Sequence, residues 1–459
     1  MAKCRIQEKI QRVICQREAW SEDDEGLCIL HSRQTSKSKS TFDDAIQSKL
    51  NVEDNNLSGV FFPWPYSFSQ RQFDNRAIFD NAIFLEDVDF KEIKFKSGAS
   101  FLETDFRGKV DFSGADFHGG EQLDCSAFSI GIGFSSVNFR KEAIFSQIKI
   151  IGHVFFNLNT IFHSSAEFYG TEVTGSLHFS TVTFNNWLNF RSAKFFKLLY
   201  FGRCSFKEEV IFDQAEFENL ITFDSLENFI ATFHSLQITP ETTFIFEDLS
   251  LSKTQFVGTD PRKIEFKNVT WYPLRGRQAV YDEIIIRMNK IEAFDLLLKY
   301  GWASARRQMQ QVRSEDYARV EELYRGLKQN YEKVGDYKRV GDFHYGEMEM
   351  HRLGNRRRRW ISWYSFYWAL SGYGERPLRA LFILVGLILI LPIIVWCLGT
   401  ESYLNTLLFI IEKATLQRPA WPQGITWGGK LGSTLSVIFI PGQAALFLLA
   451  LRNRLGRRR

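Results

Sequence analysis

From Phe79 onward an apolar residue returns every eleven positions: Phe79, Phe90, Phe101, Phe112, Leu123, Phe134, Phe145 and Phe156. A second series runs five residues behind, through Phe84, Phe95, Phe106, Phe117, Phe128, Phe139 and Ile150. After a one-residue slip near Phe162 the first series continues as Phe168, Phe179, Phe190, Phe201, Phe212 and Phe223, and the second as Val173, Phe184, Phe195, Phe206 and Phe217. Two positions before each of these stands a small or aliphatic residue, for example Ala77, Ala82, Val88, Ile93, Val182, Leu188 and Ala193. A helix would spread steps of five and six over several faces. Four short strands joined by corners, each turning one large and one small side chain inward, use roughly 22 residues per coil. Such coils stack about 4.8 Å apart. About seven of them make a solenoid on the order of 30 Å long, with each phenylalanine on its counterpart in the next coil. A β-sandwich would not hold an eleven-residue beat for so long.

The segments Ala82-Ile83-Phe84, Ala99-Ser100-Phe101, Ala115-Asp116-Phe117, Ala166-Glu167-Phe168 and Ala215-Glu216-Phe217 carry a resemblance. They resemble the pentapeptide-repeat family in its Phe-rich form. That resemblance implies a right-handed quadrilateral β-helix over 76–272, with 230–272 as irregular final coils.

Helical periodicity replaces this beat from about residue 278. Val320, Tyr324, Leu327 and Tyr331 form one stripe, Gly335-Asp336 interrupts it, and a second helix follows to 352, so 273–355 is expected to hold a helical hairpin. The hairpin is similar to a single tetratricopeptide unit. Its His344 and Glu347 are expected on a solvated or packed face. Arg356–Arg359 precede an aromatic stripe of Trp360, Trp363, Tyr364, Tyr367 and Trp368, the composition of an interfacial helix over 356–376. Residues 378–398 and 431–451 are apolar enough to span a bilayer, which makes 377–459 a two-helix transmembrane hairpin. Pro441-Gly442 would kink the second span, and Gln443 there needs a partner.

Between the spans, 403–411 is apolar but short, the pattern of a re-entrant helix. Span, short helix, loop and span resemble the pore module of two-span ion channels. In that family a Thr-x-Gly-Tyr-Gly filter follows the short helix. Here Lys413-Ala-Thr-Leu-Gln-Arg-Pro419 stands in its place; only Thr415 matches, and Arg418 would repel cations.

The first 75 residues are polar by comparison. Cys4, Cys15, Cys28 and His31 make up a candidate Cys₃His zinc site within 1–35, the Cys28-Ile-Leu-His31 spacing allowing two ligands on one tetrahedral ion. Three ordinary thiols and a surface histidine are the alternative. Residues 36–75 are expected to hold a linker, centred on 32–41, a short helix carrying Phe42, Ile46 and Leu50, and a cap at Phe61-Phe62-Pro63-Trp64-Pro65 over the open end of the coils.

Charge alters the picture in two places. The chain has a net charge of +4, yet residues 76–229 hold 14 Lys/Arg and 21 Asp/Glu. Basic residues gather at 356–379 and at 452–459, on the outer flanks of the two spans, so the positive-inside rule puts both termini and the β-helix in the cytoplasm, at the inner or plasma membrane. Six cysteines in 459 residues are too few for a secreted disulfide scaffold. No phosphate loop, His-Glu-x-x-His or nucleophile elbow is present, so no enzymatic activity is expected. The expected function is a membrane-anchored scaffold whose β-helix binds an unknown cytoplasmic protein. The alternative is an oligomeric ion-channel-like protein gated by that β-helix, a homo-oligomer by necessity. Some soluble members of the resembled family mimic DNA; the modest negative charge and the membrane tether argue against a nucleic-acid partner or role here.

Overall fold

The structure is a computed structural model that describes residues 2–10, 13–118, 131–288, 314–354, 362–397, 402–415, 417, 419–421 and 425–455. Leu123, Phe128, Arg356 to Arg359, Trp360, Arg418 and Arg457 to Arg459 lie outside these residues. The chain divides into two compact units, Met1–Tyr272 with Val280–Asp282, and Pro273–Ala279 with Glu283–Arg459.

The first unit is a β-solenoid of about nine turns. Its strands lie in four parallel sheets of seven, nine, eight and nine strands, one sheet per side, which is the expected four-sided helix. Most sides are two residues long and read inward, outward, inward: Ala82, Ile83 and Phe84, or Val88, Asp89 and Phe90. The large inward rings stack along the axis. Phe79 and Phe101 are 4.9 Å apart at 2°, and Phe90 and Phe112 are 4.6 Å apart at 5°. Across the interior, rings on opposite sides meet edge-on, as Phe79 and Phe90 do at 5.7 Å and 83°. Both arrangements match the aromatic quadrupole, and packing such rings removes most of the chain's phenylalanine from water. The described ladder residues and the small residues two positions before them are buried.

Steps of five and six differ in backbone. On two of the four sides the residue two after the inward phenylalanine takes a positive φ: Asn81, Glu92, Glu103, Gly114, Gln147, Gly170, Ser192 and Gln214 are examples. That left-handed residue tightens the corner and saves one residue. Only glycine adopts it without strain, so each other residue there costs roughly 1 kcal/mol, offset by the ladder on either side.

The ladder is not uniform. Ala99-Ser100 pairs with Ile132-Gly133, and Phe101 stacks on Phe134 at 4.8 Å, 33 residues on rather than 22. The next three sides make the same long step, Phe106 to Phe139, Val110 to Ala143 and Phe117 to Ile150. Half a coil more than one turn therefore lies between them, and the two halves of the ladder are out of phase by two sides. Leu123 and Phe128 were expected to continue the ladder; the pairing closes without them. The one-residue slip is a 23-residue coil, with Phe139 on Phe162 at 4.5 Å, and the extra residue falls at Leu158 and Asn159, both at positive φ.

The ends also differ from expectation. Phe61-Phe62 is not a cap: it pairs in register with Ile83-Phe84 as a strand of the first coil, and Phe62 stacks on Phe84 at 4.3 Å. This coil and the final ones raise the count from about seven to about nine. The cap is the helix Lys39–Asn51, whose buried Phe42, Ile46 and Leu50 share one face. Phe42 meets Phe62 edge-on at 5.5 Å. Ser38 accepts from the Thr41 N–H and starts this helix. Nor are residues 32–41 a free linker, since Ser32 and Lys37 are buried. At the other end Ile264–Lys267 closes its sheet, Trp271 lies 5.3 Å from Phe266, and the buried Asp282 carboxylate accepts from the N–H groups of Phe256 and Val257.

In the second unit Ser314–Val334 and Tyr337–Gly354 form the hairpin. Val320, Tyr324, Leu327 and Tyr331 are buried as their spacing requires, and Phe343 lies 6.0 Å from Tyr324 and 5.4 Å from Tyr331. Glu347 faces Lys328 at 2.6 Å, Arg325 at 3.0 Å and His344 at 3.9 Å, so the expected packed face is an ion-pair cluster. Trp363–Ser371 is a short helix. Pro377–Cys397 and Trp427–Leu455 are long and apolar, with only 17% and 22% of their most apolar windows buried. They run antiparallel: Gln443 bonds to Ala380, Asn453 to Gly374, and Gly432 lies against Val395. The second helix continues through Pro441. Between them Tyr403–Ala414 buries Phe409 and Ile410 against Val395 and Ile440.

Candidate functional site

The first candidate is a metal centre at the capped end of the solenoid. Cys28-Ile29-Leu30-His31 forms a tight turn in which the N–H groups of His31 and Ser32 both donate to the Cys28 carbonyl. This turn brings Cys28 Sγ and His31 Nδ1 within 3.2 Å. Cys4 follows a β-bridge between Lys3 and Glu18 and places its Sγ 3.4 Å from the same Nδ1, while Cys15 Sγ lies 3.8 Å from Cys28 Sγ. All four donor atoms fall within 4.8 Å of one another. Two sulfurs on one tetrahedral ion at the usual bond length are about 3.8 Å apart, so the spacing suits a single small ion.

The surroundings favour ligation. His31 Nε2 donates to the Ser58 carbonyl at 3.0 Å, which leaves Nδ1 as the lone-pair nitrogen facing the thiols. The Cys28 N–H donates to Cys4 Sγ at 3.1 Å, a bond that stabilises a thiolate. Hydrogen bonds from Cys15 and Cys28 hold the Cys4 thiol well below the ordinary range, and the same contacts push Cys28 up. Burial disfavours charge on His31, but Cys15 and Cys4 beside it outweigh that and raise it to about 9, so a metal ion binding at Nδ1 would displace a proton there. Cys4, Cys28 and His31 are buried and Cys15 is half-buried.

Sequence reading passed over Lys37, which joins this lobe to the first coil. Its Nζ donates to the carbonyls of Ile29, Ser32 and Phe61 at 2.9, 3.0 and 2.9 Å. It also lies 4.7 Å over the Phe42 ring. Nothing in a polar run of serines and lysines marks one lysine as buried.

The solenoid surface is the second candidate. On one side the outward residues alternate in sign from coil to coil: Lys94, Asp116, Lys149, Glu172, Lys194 and Glu216. Lys194 and Glu216 pair at 3.2 Å, so this side largely neutralises itself. The side with five-residue strands is different. Its outward register runs Phe155, His178, Tyr200, Thr222 and Ile245, with Phe155 stacked on His178 at 4.8 Å. Burial and the neighbouring His153 lower His178 to about 4, so it is neutral at physiological pH.

The third is the segment after the short helix between the two long ones. The Thr415 hydroxyl donates back to the Glu412 carbonyl at 2.9 Å, and Lys413 Nζ sits 3.6 Å over the Trp421 ring.

Residues 79–120 match a family model described as pentapeptide repeats (9 copies). No curated protein and no solved structure matches the chain. Residues 79–118 of the matched segment lie within the coils whose sides and stacked rings are set out above. The chain therefore carries pentapeptide repeats within a Phe-rich β-solenoid, which is followed by helices, two of them long and apolar enough to cross a membrane.

Proposed function

We propose that this protein is a membrane-anchored scaffold whose solenoid binds a cytoplasmic protein. The interior of the coils is filled by stacked rings, so the solenoid acts through its outward side chains. The observation that carries this reading is the ladder Phe155, His178, Tyr200, Thr222 and Ile245, a half-buried aromatic and aliphatic row on a flat sheet. Aromatic residues on a rigid surface bind partner proteins at low entropic cost. The long helices hold the chain in the bilayer, with both termini on the cytoplasmic side. Their paired ends carry Arg376 and Arg379 on one helix and Arg452 and Arg454 on the other. Cys4, Cys15, Cys28 and His31 hold one Zn²⁺ that fixes the N-terminal cap.

Membrane fractions washed with alkaline carbonate test the anchor: full-length chain stays in the pellet, and a chain ending at residue 376 is released. Site-specific photo-crosslinkers at Tyr200 and at Lys194 in the native membrane test the face. The same discrete adduct from Tyr200, without one from Lys194, supports it; adducts only from Lys194, or none from either, refute it.

A further inference from the structure

A cavity of about 960 Å³ opens in the second unit beside the start of the Pro377–Cys397 helix. Six cations line it, Arg275, Arg277, Lys338, Arg376, Arg379 and Arg454, against two carboxylates, Asp342 and Glu375. Arg277 is committed to Glu283 at 2.7 Å. None of the other five forms an ion pair with a carboxylate among the described residues. Arg376 and Arg379 are held instead against aromatic faces, 5.2 Å over Tyr345 and 4.5 Å over Trp368. Asp342 is occupied by the Gln278 N–H at 3.1 Å. Gathering these five cations against two carboxylates in one concavity leaves an excess of positive charge whose repulsion an anion would relieve.

The rest of the lining is apolar. Leu378 and Phe382 are 61% and 72% exposed, and with Ile383 they continue from the cavity onto the outer surface of the long helix. A phosphate in the cavity would thus have a hydrocarbon-facing wall directly below it. A soluble metabolite would have no use for that wall, whereas a diacyl lipid needs it. The N-terminal end of the helix dipole adds to the positive field at the same point.

We infer that this cavity binds the phosphate headgroup of an anionic membrane lipid, with the acyl chains lying along Leu378, Phe382 and Ile383. The inference rests on reading Pro377–Cys397 and Trp427–Leu455 as membrane spans. A headgroup held here fixes the depth and rotation of the hairpin in the bilayer.

The test uses the purified full-length protein in neutral detergent and the affinity of a fluorescent phosphatidylglycerol. Phosphatidylglycerol should bind at least about tenfold tighter than phosphatidylcholine, and glycerol phosphate should not displace it. Lys338→Gln and Arg454→Gln should each weaken binding about fivefold, the usual contribution of one basic residue. Arg452→Gln, the same charge change on the same helix outside the cavity, should leave it within about twofold. Equal losses from Arg452→Gln mean diffuse attraction and overturn the site. Displacement by glycerol phosphate means a soluble phosphate ester and overturns the lipid. If the variants do not fold, the wild-type competition alone decides. Release by carbonate with lipid preference intact refutes the spans; retention without preference refutes the cavity.

Discussion

The Lys37 ammonium donates to the Phe61 carbonyl at 2.9 Å, across the junction between the cysteine lobe and the first coil. Its two remaining hydrogen bonds reach Ile29, inside the Cys28–His31 turn, and Ser32, the residue that follows it. Three carbonyls use all three ammonium protons, so one side chain staples the lobe, the turn and the solenoid edge. Lys37→Met keeps the stem and removes the donors, leaving three carbonyls to find other partners. The expected loss is about 2–4 kcal/mol, confined to the cap. Hydrogen exchange on the full-length protein checks it: amides of residues 13–62 should exchange faster, and those of Phe84 through Phe117 should not. Uniform acceleration along the coils would mean that Lys37 is not a local staple.

The step from Phe101 to Phe134 makes the ladder's phase testable. Excising eleven residues from 120–130 restores a 22-residue spacing between the paired sides and should leave the melting temperature within a few degrees. Excising 85–87 shortens the step from Phe84 to Phe90 from six residues to three, too few for one side, so it breaks the beat and should prevent the coils from forming. Equal tolerance of both would refute the pairing. Within the coils, Phe101→Ala should cost about 3–5 kcal/mol, since it removes a ring stacked on both neighbours. Glu103→Lys, at an exposed corner, should be nearly silent, and Glu103→Gly neutral or stabilising, because its φ is +56°.

These corners show what the sequence could and could not convey. An inward phenylalanine must recur with the coil, so the period, the buried set and the four-sided section follow from spacing alone. The half-coil insertion is invisible to the same reasoning, because eleven residues is itself half a coil and the beat continues unbroken through Leu123 and Phe128. Phe61-Phe62 looked like a cap because Pro63 and Pro65 follow it, but prolines are tolerated in corners and at the ends of short strands. The four metal-type donors were legible as a set because residue type and the Cys28–His31 spacing limit the choices. The positions of Cys4 and Cys15 depend on the Lys3–Glu18 bridge, and the role of Lys37 depends on three carbonyls from distant segments. Neither leaves a pattern in the chain.

The Cys₃His reading predicts about one zinc per chain in the purified full-length protein, measured by elemental mass spectrometry. Cys28→Ser should lower the content at least severalfold, since it removes the sulfur that lies 3.8 Å from Cys15 Sγ and 3.2 Å from His31 Nδ1. Cys204→Ser, which changes a thiol inside the solenoid, should not. Chelation should then expose residues 1–36 to protease while the coils stay resistant. Zinc unchanged in Cys28→Ser, or none in the wild type, would refute the site.

The hairpin should anchor rather than conduct. A cation filter needs a ring of inward carbonyls, usually with glycines that permit that backbone shape. At the corresponding place Thr415 turns its hydroxyl back to Glu412, and Lys413 puts a positive charge over Trp421. The short helix meanwhile buries Phe409 and Ile410 between the two long ones, which gives it a structural reason to lie there. If copies assembled around a pore, the lysines would favour anions over cations. Liposomes holding the purified full-length protein, loaded with K⁺- and Cl⁻-sensitive dyes, decide the matter. Silence for both ions is expected, in vesicles where protease accessibility shows the solenoid folded and outside. Cl⁻ flux lost on Lys413→Gln would establish an anion pore. K⁺ flux abolished by Thr415→Ala would overturn the anchor and make the channel the function of the membrane unit.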